Sequence, residues 1–207
     1  MPMQYYEDNA LQLAKLYQSY RFELLHASWL KFVTPLMEQA GLKFLDIGAG
    51  AGRDARFFAE QAEQAQVVAV EPVCSLNRLG QAYTRDMPIS WYQDELPCLY
   101  KVQKEHHGFD VILVSSVFNY LQSSSGQQAM LTLRNLMNPD ALLVVKLRHC
   151  SDDEVLEVRG MVNCTVDYLL DIAHKADLTC LEVTEPEEDA QGRASVTWQT
   201  LLFKPAQ

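Results

Sequence analysis

The stretch from Lys43 to Asp54 limits what this chain can fold into more than any other. It reads Lys-Phe-Leu-Asp-Ile-Gly-Ala-Gly-Ala-Gly-Arg-Asp, a short apolar run followed by glycines that alternate with alanines. The apolar run is bounded by turn residues and is too short for a helix, so it predicts a buried parallel strand. The glycines allow positive φ angles and leave room for a ligand close to the backbone.

A helix is predicted to begin directly after Gly52, because Ala55, Phe58, Ala59 and Ala62 recur at helical spacing. Its N-terminus would point at the glycine turn and offer free N–H groups to ligand oxygens. A tight strand-to-helix turn that binds nothing has the same sequence pattern. The glycines alone therefore leave both interpretations open.

Length, charge and cysteine usage narrow the class of protein. A chain of 207 residues favours one α/β domain over 1–207, with a helical segment over 1–40 and a core over 43–207. The net charge of −10 argues against a nucleic-acid or membrane surface. Scattered cysteines without a C-x-x-C pair favour reduced thiols and a cytoplasmic location. We expect neither a leader nor a membrane span, because the apolar runs are short.

The segment from Tyr5 to Ala40 is predicted to be helical, with Thr34-Pro35 interrupting its second helix. It precedes the first strand and would lie over the open end of the sheet. Most of its aromatic side chains are expected to pack in the core. The more specific interpretation is that the segment forms a lid over a ligand site. The candidate lid contacts are Tyr6, Tyr17 and Arg21.

Further apolar runs predict six more strands, at 66–72, 88–94, 109–118, 141–147, 178–185 and 195–204. Helices are predicted between them at 75–85, at 124–137 after a capping box, and after the N-cap Thr165. The loop between the last two strands contains no helical pattern. Those strands are therefore expected to pair as an antiparallel hairpin at one edge of the sheet.

Glu71 ends the second predicted strand and follows Gly50 at the separation, roughly 20 residues, at which a carboxylate accepts hydrogen bonds from ribose hydroxyls. A surface carboxylate that closes the strand is the alternative. The joint spacing with the glycines favours the binding role.

In order and spacing these motifs resemble those of class I S-adenosylmethionine-dependent methyltransferases over nearly the whole chain. The matching features are the Asp46–Gly52 loop, Glu71, Asp94, Phe109–Ile112, Leu136–Pro139 and the final hairpin. The run 46–55 and Leu147-Arg148-His149 resemble a bacterial subgroup of small free-standing members. The chain departs from the family at Asp140-Ala141, where Gly-Gly is common, and at Cys150, where many of the subgroup have glycine. The resemblance implies a Rossmann-like, seven-stranded, mostly parallel sheet with helices on both faces.

The resemblance also implies a site for S-adenosyl-L-methionine. Gly48, Ala49 and Gly50 would pass beneath its methionine part, and Glu71 would hold the ribose. Asp94 would accept the adenine amino protons beside the backbone of Glu95 and Leu96, and Ser115 would face the sulfonium. The implied cofactor-binding residues are Asp46, Gly48, Ala49, Gly50, Arg53, Glu71, Pro72, Asp94, Glu95, Leu96 and Ser115. Arg21 or Arg53 would pair with the cofactor carboxylate, although a solvated charge fits each of them equally.

Methyl transfer needs alignment and exclusion of water, and it needs a base only when the acceptor must lose a proton. The residues expected to face the acceptor are Tyr5, Tyr6, Tyr120, Arg148 and His149, with Tyr120 and His149 as catalytic candidates. The expected acceptor is a small molecule, because no recognition domain is appended. We expect no metal, no nucleic-acid partner, and a monomer or homodimer.

Three other functions use parts of the same pattern. A nicotinamide-dependent oxidoreductase would need glycine where Arg53 stands, and Tyr100-x-x-x-Lys104 precedes the strand that would carry its active site. Cys98 and Asn119-Tyr120 lack the context of the nucleic-acid methyltransferase motifs. A non-catalytic domain that binds a nucleotide or S-adenosylmethionine remains open.

Overall fold

One eight-stranded sheet forms the centre of the computed structural model, which describes residues 2–121 and 123–206. The strands are β1 Lys43–Ile47, β2 Gln66–Val70, β3 Ile89–Tyr92, β4 Phe109–Ser115, β5 Met137–Cys150, β6 Leu178–Val183, β7 Glu187–Glu188 and β8 Val196–Pro205. Their order is β3-β2-β1-β4-β5-β8-β6, and β7 pairs with β8. The first five strands are parallel, whereas β8 runs antiparallel to β5 and β6. The predicted mostly parallel sheet with a C-terminal antiparallel pair is confirmed.

Helices cover the sheet and precede it. They are α1 Pro2–Asp8, α2 Ala10–Ser19, α3 Phe22–Leu25, α4 Ala27–Met37, α5 Arg53–Gln61, α6 Cys74–Tyr83, α7 Tyr100–Glu105, α8 Ser123–Leu136, α9 Asp153–Arg159 and α10 Val166–Lys175. Thr165 caps α10 as predicted, since its side chain accepts a hydrogen bond from the N–H of Tyr168. The predicted interruption at Thr34-Pro35 is wrong. Pro35 lies two residues before the end of α4, so the one hydrogen bond that it removes affects only the last turn, and the helix continues to Met37.

The other differences between the predicted and the observed elements have local causes. β3 ends at Tyr92, two residues before the predicted end, and β5 begins at Met137 because that residue pairs with Phe109 of β4. The short elements α7, α9 and β7 were not predicted. Each has fewer than eight residues, which is too few for an apolar period to stand out.

Side chains of successive strand residues alternate between two apolar layers. Leu45 and Ile47 face one layer, whereas Phe44 stacks on Phe58 of α5 with ring centroids 3.6 Å apart in the other. A third, smaller apolar cluster joins α2 to the loop after β1 and to the start of α6: Ala10, Leu13 and Ala14 pack with Ala51, Val73 and Leu76. The first helices are therefore fixed over the carboxyl ends of the strands.

Between β1 and β4 the strand order reverses, because β2 and β3 lie to one side of β1 while β4 and β5 lie to the other. In open α/β sheets, ligands bind in the crevice at the carboxyl ends of strands at such a switch point. The glycine loop after β1 stands at this position.

Candidate functional site

A cavity of about 650 Å³ lies at the carboxyl ends of β1, β2, β4 and β5. It brings together most of the residues expected from the sequence: Gly48, Ala49, Gly50, Arg53, Glu71, Pro72, Asp94, Glu95, Leu96, Ser115, Tyr6, Tyr17 and Tyr120. Arg148 also lines the cavity, whereas Tyr5, Arg21, Asp46 and His149 are not among its lining residues. The cavity thus joins the glycine loop to a cluster of tyrosines.

The glycine loop adopts a conformation that other residues rarely reach. The φ angles of Gly48, Gly50 and Gly52 are +73°, +55° and +85°. A Cβ added to Gly48 would stand 2.5 Å from Cγ2 of Val117. The N–H groups of Gly48 and Ala49 both donate to the carbonyl of Val70 at 2.9 Å. The loop is therefore held against the end of β2 and leaves its other side open to the cavity.

Glu71 lies directly beside this loop. Its Oε2 accepts a hydrogen bond from the N–H of Gly50 at 2.8 Å, and its Oε1 accepts one from Val73 at 2.9 Å. Burial raises the pKa of Glu71 to about 7, although the two N–H groups act in the opposite direction. Each carboxylate oxygen keeps a second lone pair for a ligand hydroxyl.

Asp94, which also lines the cavity, accepts hydrogen bonds from three backbone N–H groups. Its Oδ1 accepts from the N–H of Glu95 at 3.0 Å, and its Oδ2 accepts from Lys101 at 2.7 Å and Val102 at 3.2 Å. These bonds satisfy N–H groups in the first turn of α7. Asp94 therefore orders the 93–102 loop that forms this wall, whatever ligand it contacts.

Asp46 lies beneath the glycine loop and not in the cavity. Its side chain is buried, and its Oδ2 accepts from the N–H of Ala55 at 3.1 Å, near the start of α5. Burial, with the nearby Asp54, raises the pKa of Asp46 well above its usual value. The residue holds the loop to the helix.

Arg53 is paired within the protein. It donates to Oδ1 of Asp54 at 2.5 Å and to Oδ2 at 2.9 Å. Burial favours the protonated carboxyl of Asp54, but Arg53 and then His26 outweigh it and hold the pKa of Asp54 well below its usual value. Arg53 lines the cavity, but two nitrogens of its guanidinium group already donate to Asp54.

His26 completes this buried cluster in a defined tautomer. Trp29 Nε1 donates to His26 Nδ1 at 3.1 Å, so Nδ1 is the acceptor and Nε2 carries the proton toward Asp54 Oδ2 at 3.2 Å. Burial lowers the pKa of His26 to about 4 despite the neighbouring carboxylate. The imidazole is neutral at physiological pH and positions Asp54.

Tyrosine hydroxyls line the opposite part of the cavity. The hydroxyls of Tyr6 and Tyr120 are 2.5 Å apart, and Arg159 donates to Tyr6 at 3.4 Å and to Tyr5 at 3.2 Å. Burial, with Tyr6 nearby, raises the pKa of Tyr17 to about 12 and raises that of Tyr120 further. The hydroxyls of Tyr17 and Tyr120 therefore remain protonated near neutral pH and act as hydrogen-bond donors and acceptors.

Four charged residues and one tryptophan of this part of the cavity were missed from the sequence: Lys146, Arg159, Asp189, Arg193 and Trp198. Lys146 donates to the carbonyl of Leu25 and lies 3.4 Å from Oε2 of Glu187, which ties α3 to β7. Burial lowers its pKa. The sequence could have marked Lys146 as a candidate, because it lies inside the apolar run 141–147 and a buried charge in such a run needs partners.

Two candidates lie elsewhere. The Arg21 side chain is 71% exposed and contacts Glu23 at 3.4 Å. His149 is half-buried outside the cavity lining, and its Nε2 has no hydrogen-bond partner among the described residues.

All five cysteines are free thiols. Within 2–121 and 123–206 we find no His, Cys, Asp or Glu cluster suited to a metal ion, and no helix able to span a membrane.

Comparison with known families matches residues 17–183 to a methyltransferase domain. No curated protein sequence matches the chain. Among solved structures, the CurJ carbon methyltransferase has 16% identity and a TM-score of 0.75, with 100% of this chain and 61% of that chain covered. A SAM-dependent methyltransferase from Leishmania major has 12% identity and a TM-score of 0.70, with 97% and 81% covered.

Phosphoethanolamine N-methyltransferase 2 from Haemonchus contortus, solved with phosphomonomethylethanolamine and S-adenosylhomocysteine, has 12% identity and a TM-score of 0.63, with 86% of this chain and 53% of that chain covered. These structural likenesses concern the fold. The domain match covers most of the sequence. The chain therefore belongs to the methyltransferase-domain family and is a class I S-adenosylmethionine-dependent methyltransferase.

Proposed function

We propose that the protein transfers the methyl group of S-adenosyl-L-methionine to a small-molecule acceptor inside the 650 Å³ cavity. The observation that carries this proposal is the continuity of one cavity from Glu71 and the glycine loop to the Tyr6–Tyr120 pair. The first part offers groups for a nucleoside and an amino acid, and the second offers polar groups for an acceptor.

The residues of the first part fit the cofactor. The backbone of Gly48 and Gly50 can approach its methionine part because these two residues have no Cβ, and Ala49 lies between them. The spare lone pairs of Glu71 suit two ribose hydroxyls. The Asp94–Leu96 wall presents a carboxylate and backbone groups for the adenine amino group. Pro72 and Ser115 complete the proposed binding set, whereas Asp46 and Arg53 support the loop from behind.

S-adenosylmethionine supplies an electrophilic sulfonium methyl group, so the protein must mainly align the acceptor and exclude water. Tyr6 and Tyr120 are placed to hold an acceptor by hydrogen bonds, and the raised pKa of Tyr120 keeps its hydroxyl protonated. Tyr120 is therefore proposed as a binding residue and not as a base. His149 lies outside the cavity lining, and we assign it no catalytic role.

Residues 1–40 are proposed as a lid on the 43–207 core. Glu7 of α1 accepts from the N–H groups of Cys74 at 2.7 Å and Ser75 at 3.1 Å, at the N-terminus of α6. Gln18 of α2 donates to the carbonyl of Ala51 in the glycine loop at 2.9 Å. With the Tyr6–Tyr120 contact, these bonds tie the first two helices to both parts of the cavity.

Calorimetry tests the cofactor assignment. S-adenosylhomocysteine is expected to bind, and NAD is expected not to bind; the opposite preference would overturn the proposal. Turnover is then followed as S-adenosylhomocysteine release with small amines, among them phosphoethanolamine, the substrate class of the Haemonchus contortus structural neighbour. Binding without release for every acceptor tested would favour a non-catalytic binding domain.

A further inference from the structure

Arg148 is a buried cation that the hydrogen bonds within the protein leave unsatisfied. Its side chain lines the cavity, and the residue is only 3% exposed. One guanidinium nitrogen donates to the sulfur of Met161 at 3.1 Å, and sulfur is a weak acceptor. Its buried Nε has no partner among the described residues. Asn119 accepts from the backbone N–H of Arg148 at 3.3 Å and donates to its carbonyl at 2.9 Å, so the position is fixed.

The charged groups that act most on Arg148 are other cations, which disfavour its positive charge. Burial lowers its pKa, and so do the neighbouring cations Arg159 and Arg193. Arg193 has its own carboxylate, since two of its nitrogens contact Asp189 at 2.9 and 2.7 Å. Arg159 reaches tyrosine hydroxyls, and within the described part of the chain neither Arg148 nor Arg159 has a carboxylate partner. A chain with net charge −10 thus leaves two cations unpaired beside one cavity.

We infer that Arg148 binds an oxyanion, a carboxylate or a phosphate, carried by the methyl acceptor. This inference rests on the proposed function. A guanidinium presents a planar fork that matches either group through two hydrogen bonds, and the low dielectric of a buried site strengthens them. Arg159 and the Tyr6 hydroxyl lie on the same side of the cavity and can add donors. The acceptor class is therefore a small anionic molecule.

The carboxylate of the cofactor is the main competing partner, and the topology argues against it. Arg148 lies on β5, two residues beyond Lys146, which pairs with Ser115 of β4. The glycine loop follows β1, and β4 separates β1 from β5. Two strand spacings amount to roughly 10 Å, which places Arg148 on the acceptor side of Ser115.

The test measures anion binding directly. The protein saturated with S-adenosylhomocysteine is titrated with acetate, with inorganic phosphate and, as a neutral match for acetate, with acetamide, and binding is followed by NMR. Three proteins are compared: wild type, Arg148→Met and the control Arg85→Met, whose arginine is 80% exposed. We expect acetate or phosphate, but not acetamide, to bind the wild type and the control. The tighter of the two anions identifies the group.

Arg148→Met is expected to weaken anion binding roughly 10- to 150-fold, the loss associated with one charge-assisted hydrogen bond. Its affinity for S-adenosylhomocysteine should stay within about twofold of wild type. Without anion, its thermal midpoint should equal or exceed that of wild type, because an uncompensated buried charge is removed. A purely structural arginine would instead lower the midpoint and leave anion binding unchanged.

Equal anion binding by wild type and Arg148→Met, or no anion binding by wild type, overturns the inference. Loss of S-adenosylhomocysteine binding in Arg148→Met also overturns it, since the partner would then be the cofactor. If Arg148→Met does not fold, Arg148→Lys replaces it, because lysine keeps the charge and loses the fork. If wild type itself fails to bind S-adenosylhomocysteine, the proposed function fails, and the same titrations without it still decide the role of Arg148.

Discussion

The N–H of Gly50 donates a 2.8 Å hydrogen bond to Oε2 of Glu71, and so joins the loop after β1 to the end of β2. The carboxylate that we propose for the ribose therefore also fixes the loop over which the methionine part would lie. In this proposal, cofactor recognition and loop conformation depend on the same side chain.

Glu71→Ala should consequently lower the affinity for S-adenosylhomocysteine by roughly 10- to 150-fold, since at least one charge-assisted bond is lost. Glu71→Gln keeps one acceptor oxygen and should lose less. Calorimetry on both variants and on the surface control Asp86→Ala measures the effect, and thermal midpoints without ligand report on folding. An affinity within about twofold of wild type for Glu71→Ala would remove Glu71 from the ribose site.

The raised pKa of Glu71 predicts a pH dependence of stability. The pKa rises from 4.5 to about 7 on folding, so between these values the folded protein holds a proton that the unfolded chain has released. The free energy of unfolding therefore falls as pH rises through this window. Relative to Glu71→Gln, wild type should lose up to about 3 kcal/mol across it.

Urea unfolding of both proteins at several pH values tests this difference. His26 contributes with the opposite sign, because its pKa falls to about 4, but it is present in both proteins and cancels. A constant difference between the two proteins would show that Glu71 does not change its pKa on folding.

Arg53→Met should be strongly destabilising, by about 3–5 kcal/mol, because it leaves the buried Asp54 carboxylate without its cation. Arg56→Met on the same helix is the matched control. Its partner Glu60 is solvent-exposed, and the i,i+4 pair should be worth less than about 1 kcal/mol. Urea unfolding gives both values. Similar losses in the two variants would mean that the Arg53–Asp54 pair is as well solvated as the surface pair.

Glu7→Ala tests the proposed lid. Glu7 caps α6 from another helix, so its loss should cost about 1 kcal/mol, as for other N-caps. If those bonds form only in the closed state, the affinity for S-adenosylhomocysteine should fall by up to about fivefold. Asp8→Ala is the control, since among the described residues the Asp8 side chain accepts only from Gln4 on the same helix. Lower stability with unchanged affinity would show that α1 packs on the core without acting as a lid.

Gly48→Ala should destabilise the protein by about 1–3 kcal/mol, because the new Cβ meets Val117 and the residue keeps a positive φ. Val117→Ala removes the contacted methyl group, so the double variant should recover part of the loss. The part that remains reports the backbone strain. A double-mutant cycle of unfolding free energies measures the coupling, and strictly additive losses would exclude the clash.

The sequence allowed the sheet to be predicted because its parallel strands are buried on both faces and read as apolar runs. It also placed Glu71 and Gly50 together, since their separation is set by one βαβ unit. It did not show that Asp94 caps α7. That helix has six residues, and its N-terminal groups meet Asp94 through a loop without a periodic pattern.

The residues on the proposed acceptor side of the cavity were harder to predict from the sequence, for a different reason. Arg159 and Tyr6 are 153 residues apart, and their contact exists only after α1 and α9 have packed on the sheet. Arg148 and His149 are adjacent in sequence, yet strand alternation sends their side chains to opposite faces, and only Arg148 lines the cavity. Both were expected to face the acceptor, because sequence adjacency does not reveal the register of a strand.

The two ends of the described chain lie at opposite ends of the parallel strands. α1 sits at the cavity, whereas β8 begins beside Cys150 and runs back so that Phe203 pairs with Leu143 near the other end of β5. A fusion partner or affinity tag joined before Pro2 would therefore stand beside the cavity. One joined after Ala206 would stand away from it, which recommends C-terminal immobilisation for binding measurements.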